Sequence, residues 1–448
     1  MNRLEFLKKF SLLTFGLTSF SYPLNKNQLL DEEKLKSDPN GILALPKDFS
    51  YQIVSRQKDM MDDGLLVPPN ADGMACFKGE GDNIVLIRNH EIGHVPKLST
   101  LFKNNPYGKY FKKYKKINKD KFFDIKGSKT HCFGGTTTIV YNTKKQKVEK
   151  QYLSLSGTLV NCSGGSTPWN TWITCEETTI KDGPGLNKMH GYNFEVHPSE
   201  SVELQKAEPL KSMGRFRHEG VAFDPKRGYV YQTEDREDGL FYRFIPKIKN
   251  KLNMGGSLQA LVIKNKLSVN TSNWNKQVIG LDEKYEVTWI NLNDVDSVNN
   301  DLRHRGNKKG AASFVRGEGV WFKDDVVYFT ATTGGKNRSG QIWKYTQNKD
   351  NSDGNLELFF ESNDKTVLNM PDNIMISPWG DVLLCEDGSG RDRIVGIRQD
   401  KSLYYLAKNI YNNAEFAGLT FDPKGEILFV NIYNPTLTLA IQGPWEKL

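Results

Sequence analysis

The sequence predicts an all-β fold, a six-bladed β-propeller with inserted loops and short helical segments. Three observations predict it. First, six stretches share one grammar: a polar or glycine start, a short apolar strand, a turn rich in Pro, Asp and Gly, a second apolar strand and a polar exit. They are Asp72–Glu91, Gly164–Glu177, His218–Glu237, Gly317–Gly335, Pro371–Gly390 and Phe416–Pro435. Second, the turns "DPKRG" from Asp224, "SPWG" from Ser377 and "DPKG" from Asp422 are hairpin signals. Third, the spacing is uneven, roughly 40 to 100 residues, which suits blades carrying insertions better than the short, regular coils of a solenoid. The second stretch reads as having lost much of its first strand, with Gly164 and Gly165 marking a tight loop.

The chain has 448 residues, 38% apolar and 25% charged. That is a globular composition with enough length for a buried core, which excludes a disordered chain. Part of the net charge of +8 is local to the lysine-rich stretch Tyr107–Phe122. That stretch reads as a solvated insertion or as a basic lip attracting an anionic substrate. No recognition motif accompanies the lysines, so nucleic-acid binding is not expected.

"MNRLEFLKKF" is basic, and Phe10–Phe20 is apolar and too short to span a bilayer. Residues 1–25 therefore read as an export signal, similar to a twin-arginine signal but with Leu4 in place of the second arginine. A periplasmic or extracellular location is expected, with residues 40–448 as a single domain. Nothing later in the chain reads as transmembrane. Five cysteines make a poor disulfide framework. Cys76, Cys132, Cys175 and Cys385 read as core, and His90, His131 and His218 as structural hydrogen-bonding groups.

In a propeller the strand ends converge on one axis. The ends here bring Asn89, Glu91, Glu176, Glu177, Glu219, Glu234, Asp235, Glu318, Asp372, Asn373, Glu386, Asp387 and Asn431 toward it. So many carboxylates cannot all stay ionised without cations, and hard divalent ions with oxygen ligands answer that need. Cys162 adds a softer donor, which suits iron or zinc better than calcium alone.

"NCSGGSTPWNTWITCEE", "RFRHEGVAFDP", "TEDR", "RGEGVWF", "GQIWKY" and "PDNIMISPWGDVLLCEDG" resemble, in order, signature segments of the PhoX family of secreted, calcium- and iron-dependent alkaline phosphatases. The resemblance runs from about Asn40 to the C-terminus. It implies a channel cluster of two ferric ions, three calcium ions and a bridging oxo group that acts as nucleophile. It also implies release of inorganic phosphate from small phosphomonoesters, by a chain expected to be a monomer. No phosphatase serine motif is present, in keeping with that chemistry. On the matching motifs, Cys162 is the iron-ligating cysteine, and Glu177 the ligand of the "TCEE" pair, with Glu176 its rival. Glu219 and Glu318 match metal-binding glutamates. Arg316 matches a phosphate-contacting arginine, and Arg236 is a second candidate clamp. Glu91, Glu234, Asp372, Glu386 and Asp387 are further candidate metal ligands. The alternatives are a calcium-dependent lactonase-like hydrolase, which would not need a thiolate, and a non-catalytic binding propeller.

Overall fold

A computed structural model describes residues 34–94, 118–125, 131–349 and 353–448. The expected export signal and most of the lysine-rich stretch lie outside these residues. Among the described residues no helix is long and apolar enough to cross a membrane. The fold is all-β and propeller-like. Its one α-helix among the described residues is Leu302–Lys308.

Each repeat is an antiparallel hairpin, extended outward by further strands. Ala71–Lys78 pairs with Asn83–His90 and leads on to Gly134–Asn142 and Lys147–Thr158. A three-stranded sheet holds Asn161–Ser166, Trp172–Glu176 and Asn193–Val196. A nine-stranded sheet has His218–Phe223 at one edge and Gly317–Lys323 at the other. Within it, Lys284–Asn291 joins the outer strands Gly256–Ile263 and Gly354–Glu361. A six-stranded sheet begins at Pro371–Ile376. The last sheet begins at Phe416–Phe421, and its outer strand is the N-terminal Ser50–Arg56, paired with Leu437–Gln442. An early strand therefore closes the sheet that holds the last strand, while the still earlier Lys36–Ser37 and Leu43–Leu45 join the six-stranded sheet. No repeat or turn signal in the sequence marks that closing strand.

One expectation is corrected. The second repeat has not lost its first strand: Asn161–Ser166 pairs with Trp172–Glu176, and Gly164 and Gly165 lie inside it. They are glycine for want of room, because neighbouring backbone comes too close for a side chain. A methyl on Gly165 would lie 1.8 Å from the Val221 carbonyl oxygen in the next repeat. Across the ring, one on Gly418, at φ +67°, would lie 2.4 Å from the Asp72 carbonyl oxygen. Thus the first strands of successive repeats pack backbone to backbone, and the last returns to the first. Gly165→Ala is expected to cost about 3 kcal/mol, the upper part of the overpacking range, because backbone rather than a movable side chain is in the way. Thermal unfolding checks this; an unchanged midpoint would contradict the close packing.

The core lies between sheets. Cys175 packs with Ile173, Phe216 and Val221, and Cys385 with Leu383, Phe416 and Val430, as their sequence reading expects.

Candidate metal centre

In each repeat the ladder of the first hairpin slips near its start. The slips fall at Ala71/Met74, Asn161/Gly164, His218/Val221, Gly317/Val320, Pro371/Ile374 and Ala417/Thr420. Such bulges re-aim side chains at a strand end. The second residue of each first strand sits there: Asp72, Cys162, Glu219, Glu318, Asp372 and Ala417.

Two further positions repeat with it. The residue before each first strand is Asn70, Val160, Arg217, Arg316, Met370 or Glu415. Its carbonyl accepts the N–H of the residue just after the second strand, respectively Glu91, Glu177, Asp235, Thr332, Asp387 or Tyr433. Three sets of side chains thereby gather at one end of the channel. Where the sixth repeat has Ala417, Glu415 supplies a carboxylate from the position before the strand. Val160 and Arg316 hold left-handed backbone, at φ +50° and +49°. That is unusual for a β-branched or long side chain, and it marks this rim as specially shaped.

The donors form a continuous chain. Cys162 Sγ lies 2.8 Å from Glu219 Oε2. Donor atoms of Cys162, Glu177 and Glu219 fall within 4.8 Å of one another. The same holds for Glu219, Glu318 and Asp372, and for Asp372, Asp387 and Glu415. Glu91 stands beside them, accepting the Tyr433 hydroxyl at 2.5 Å. Above sit two guanidinium groups. Arg316 donates to Glu318 Oε1 at 2.7 Å and to Asp235 Oδ1 at 3.0 Å, and its side chain is 28% exposed. Arg217 pairs with Glu177 and with Asp235. Arg236 Nε is buried without a hydrogen-bond partner. Burial and the charges of Arg217 and Arg303 make the Arg236 guanidinium easier to deprotonate than usual.

Burial, reinforced by repulsion among the carboxylates, pushes Asp72, Glu219, Glu318 and Glu415 well above the usual range and Asp372 up to about 7. Burial and then Glu219 raise the Cys162 thiol. The Glu318 charge, against burial, holds Arg316 firmly protonated. Two capping arginines do not balance this array. It stays ionised as a unit only with cations among the carboxylates. The donors fit such ions: many hard oxygens and one sulfur at one end.

Two expected ligands, Glu234 and Glu386, stand apart, and so does Glu176, the rival of Glu177. Glu176 is used up by the Leu159 and Gly191 amides, at 2.9 and 2.8 Å, and by His190 Nδ1 at 2.6 Å. Glu386 takes two hydrogen bonds from the Arg393 guanidinium, at 2.8 and 2.7 Å, and one from the Asn369 amide. Glu234 accepts the Tyr242 hydroxyl at 2.7 Å and has Arg303 at 4.0 Å. All three end a second strand, and the residue that follows each one faces the other way. Those next residues turn toward the centre, Glu177 and Asp387 as members of the donor groups and Asp235 as the partner of Arg217 and Arg316. Of the "TCEE" pair, Glu177 is the one in reach of Cys162.

The asparagines knit neighbouring strands. Asn89 donates to the Cys162 and Ser163 carbonyls, Asn431 donates to the Asp72 carbonyl, and Asn373 accepts from the Gly418 amide. His90 bonds the Pro69 carbonyl and Thr137, and His218 the Gly214 carbonyl. The sequence reading left Asp72, Glu415 and Arg217 unassigned. "RHEG" and "RGEG" carry the same signal twice, an arginine two residues before the glutamate, and this pattern would have found Arg217.

Burial holds the folded-state pKa of Glu234 up at about 7. The folded chain therefore keeps this proton longer than the unfolded chain, whose glutamates release theirs near about 4.3. The stability tied to that proton is full below about 4.3 and is lost as pH rises through about 7. Glu234→Gln is expected to flatten that part of the stability–pH profile and to leave bound metal unchanged. Loss of metal in this variant would contradict its placement outside the centre.

These features define an all-β, propeller-like protein with an acidic, arginine-capped candidate metal centre at one end of its channel. The family model for alkaline phosphatase PhoX matches residues 30–436, so the chain belongs to that family. Its activity is that of an alkaline phosphatase, hydrolysing phosphomonoesters. Among solved structures it is similar to Pseudomonas fluorescens PhoX in complex with vanadate, a transition state analogue. The TM-score is 0.65 and the identity 16%, over 92% of this chain and 97% of that one. A gluconolactonase from Xanthomonas campestris is more distant, with a TM-score of 0.42 and 10% identity over 92% of this chain and 94% of that one. A search of curated proteins returned no match.

Proposed function

We propose that this alkaline phosphatase works through an iron–calcium cluster held by the repeated positions described above. The observation carrying this reading is the unbroken run of donors from Cys162 through Glu219 and Asp372 to Glu415. Cys162, Glu177 and Glu219 would hold iron, since a thiolate beside carboxylates favours it. Glu318, Asp372, Asp387, Glu415, Asp72 and Glu91 offer oxygens suited to calcium. Bound there, the ions would offset the carboxylate charge and supply Lewis-acid activation of water and of the phosphoryl group.

The chain's own part is to bind and orient the ester. Arg316, fixed by Glu318 and Asp235, presents its remaining N–H groups to phosphoryl oxygens in a geometry that matches phosphate. Arg236, with a buried and unpartnered Nε, is the second clamp. The repeats count as six blades of one domain, residues 40–448, with the nine-stranded sheet as two blades joined by Lys284–Asn291. The chain acts as an exported monomer, with residues 1–25 as its export signal.

The test is hydrolysis of p-nitrophenyl phosphate before and after prolonged chelation and desalting. Activity is expected to vanish with calcium and return when calcium is added. Unchanged turnover in protein shown by elemental analysis to be free of calcium would overturn the reading.

A further inference from the structure

A second cluster lies away from the channel centre. Asp124, Cys132 and His190 are wholly buried, and one donor atom from each falls within 4.8 Å of the others. His190 Nε2 is 3.4 Å from Asp124 Oδ2 and 3.7 Å from Cys132 Sγ. Of these separations, the one to oxygen is long for a charge-assisted hydrogen bond, about 2.7–2.9 Å between nitrogen and oxygen. Both fit donors around one tetrahedral ion. Bonds of about 2.0–2.2 Å to nitrogen and oxygen and about 2.3 Å to sulfur put nitrogen roughly 3.4 Å from oxygen and roughly 3.6 Å from sulfur.

The other ring nitrogen is fixed. His190 Nδ1 meets Glu176 Oε1 at 2.6 Å. A carboxylate on the far nitrogen is how metal-binding histidines are oriented and made more basic, leaving the Nε2 lone pair for the ion. The three donors come from separate pieces of chain. Asp124 is docked on the end of Lys147–Thr158 through the Phe123 and Asp124 amides. Cys132 precedes Gly134–Asn142. His190 lies between Trp172–Glu176 and Asn193–Val196.

We propose that Asp124, Cys132 and His190 form a structural site for a zinc-class ion, distinct from the channel cluster. Thiolate, imidazole and carboxylate together suit zinc, with the fourth tetrahedral position left to water or a neighbouring donor. Binding releases the protons of the thiol and of the imidazole Nε2. Because Glu176 immediately precedes Glu177, the ion braces the strand end that presents Glu177 to the channel.

The test loads the full-length protein, isolated without chelator, with zinc alone and removes the excess by gel filtration. About one equivalent is expected to stay in wild type and in Cys162→Ser, and to be lost in Cys132→Ser. Equal zinc in wild type and Cys132→Ser, or none in wild type, would overturn the site and leave a protonated imidazole between two carboxylates. Should Cys132→Ser fail to fold, wild-type crystals decide. Anomalous scattering at the zinc edge should peak among Cys132 Sγ, His190 Nε2 and Asp124 Oδ2, and no peak there overturns the proposal. Phosphatase activity is not the readout, so failure here leaves the channel assignment standing.

Discussion

Glu219→Gln is expected to lower kcat/KM for p-nitrophenyl phosphate by about 100-fold, the upper end of what disturbing a metal's surroundings costs. The glutamate belongs to two donor groups at once and touches the Cys162 sulfur. Glutamine keeps its size and one carbonyl oxygen but removes its charge, so the loss reports on ion binding rather than packing. Global stability should change little, because the substitution also relieves repulsion from Glu318, Asp372 and Asp72. Metal analysis alongside the kinetics should show fewer ions per chain. Near-normal turnover with full metal would remove Glu219 from the centre, and with it the bulge argument for all the repeats.

Arg316→Ala is expected to cut kcat by about 100- to 1000-fold, as losing a pre-aimed donor to a developing oxyanion commonly does. Metal content should be retained, since the guanidinium is a cap and not a donor to cations. Arg316→Lys should recover part of the rate but not all of it, because an ammonium keeps the charge and loses the planar fork. The two carboxylates that hold Arg316 would hold a lysine less well. A kcat unchanged in Arg316→Ala would reduce this residue to a counter-charge for Glu318 and Asp235.

Much of this site was legible because the repeats are hairpins. Apolar runs and polar turns announced the strands around His218, Gly317, Pro371 and Phe416, and the polar residues at their starts included Glu219, Glu318 and Asp372. The errors cluster where strand pairing decides which way a side chain points. Glu234 and Glu386, like Glu176, the rival of Glu177, close their strands and face away, while the next residue turns toward the channel. A sequence does not mark the last paired residue, so a one-residue uncertainty exchanges the two faces. Cutting the second repeat at Gly164 hid the strand that carries Cys162. Its glycines read as a loop, although close approach of Val221 is what requires Gly165. Asp72 stood at the very start of a recognised repeat and was passed over. Glu415 was invisible for another reason: the sixth repeat has Ala417 at the donor position and supplies its carboxylate from two residues earlier. Burial and proximity across distant repeats revealed that replacement.

On the proposed reading, the donors from Cys162 to Glu415 hold the metal ions on which phosphomonoester hydrolysis depends. Elemental analysis of active protein, isolated without chelator and compared with its Cys162→Ser variant, tests it most directly. Iron and calcium are expected together in the active enzyme, with iron and activity lost in the variant while its fold persists. Fully active protein holding calcium alone, or a Cys162→Ser variant with undiminished iron and turnover, would contradict it.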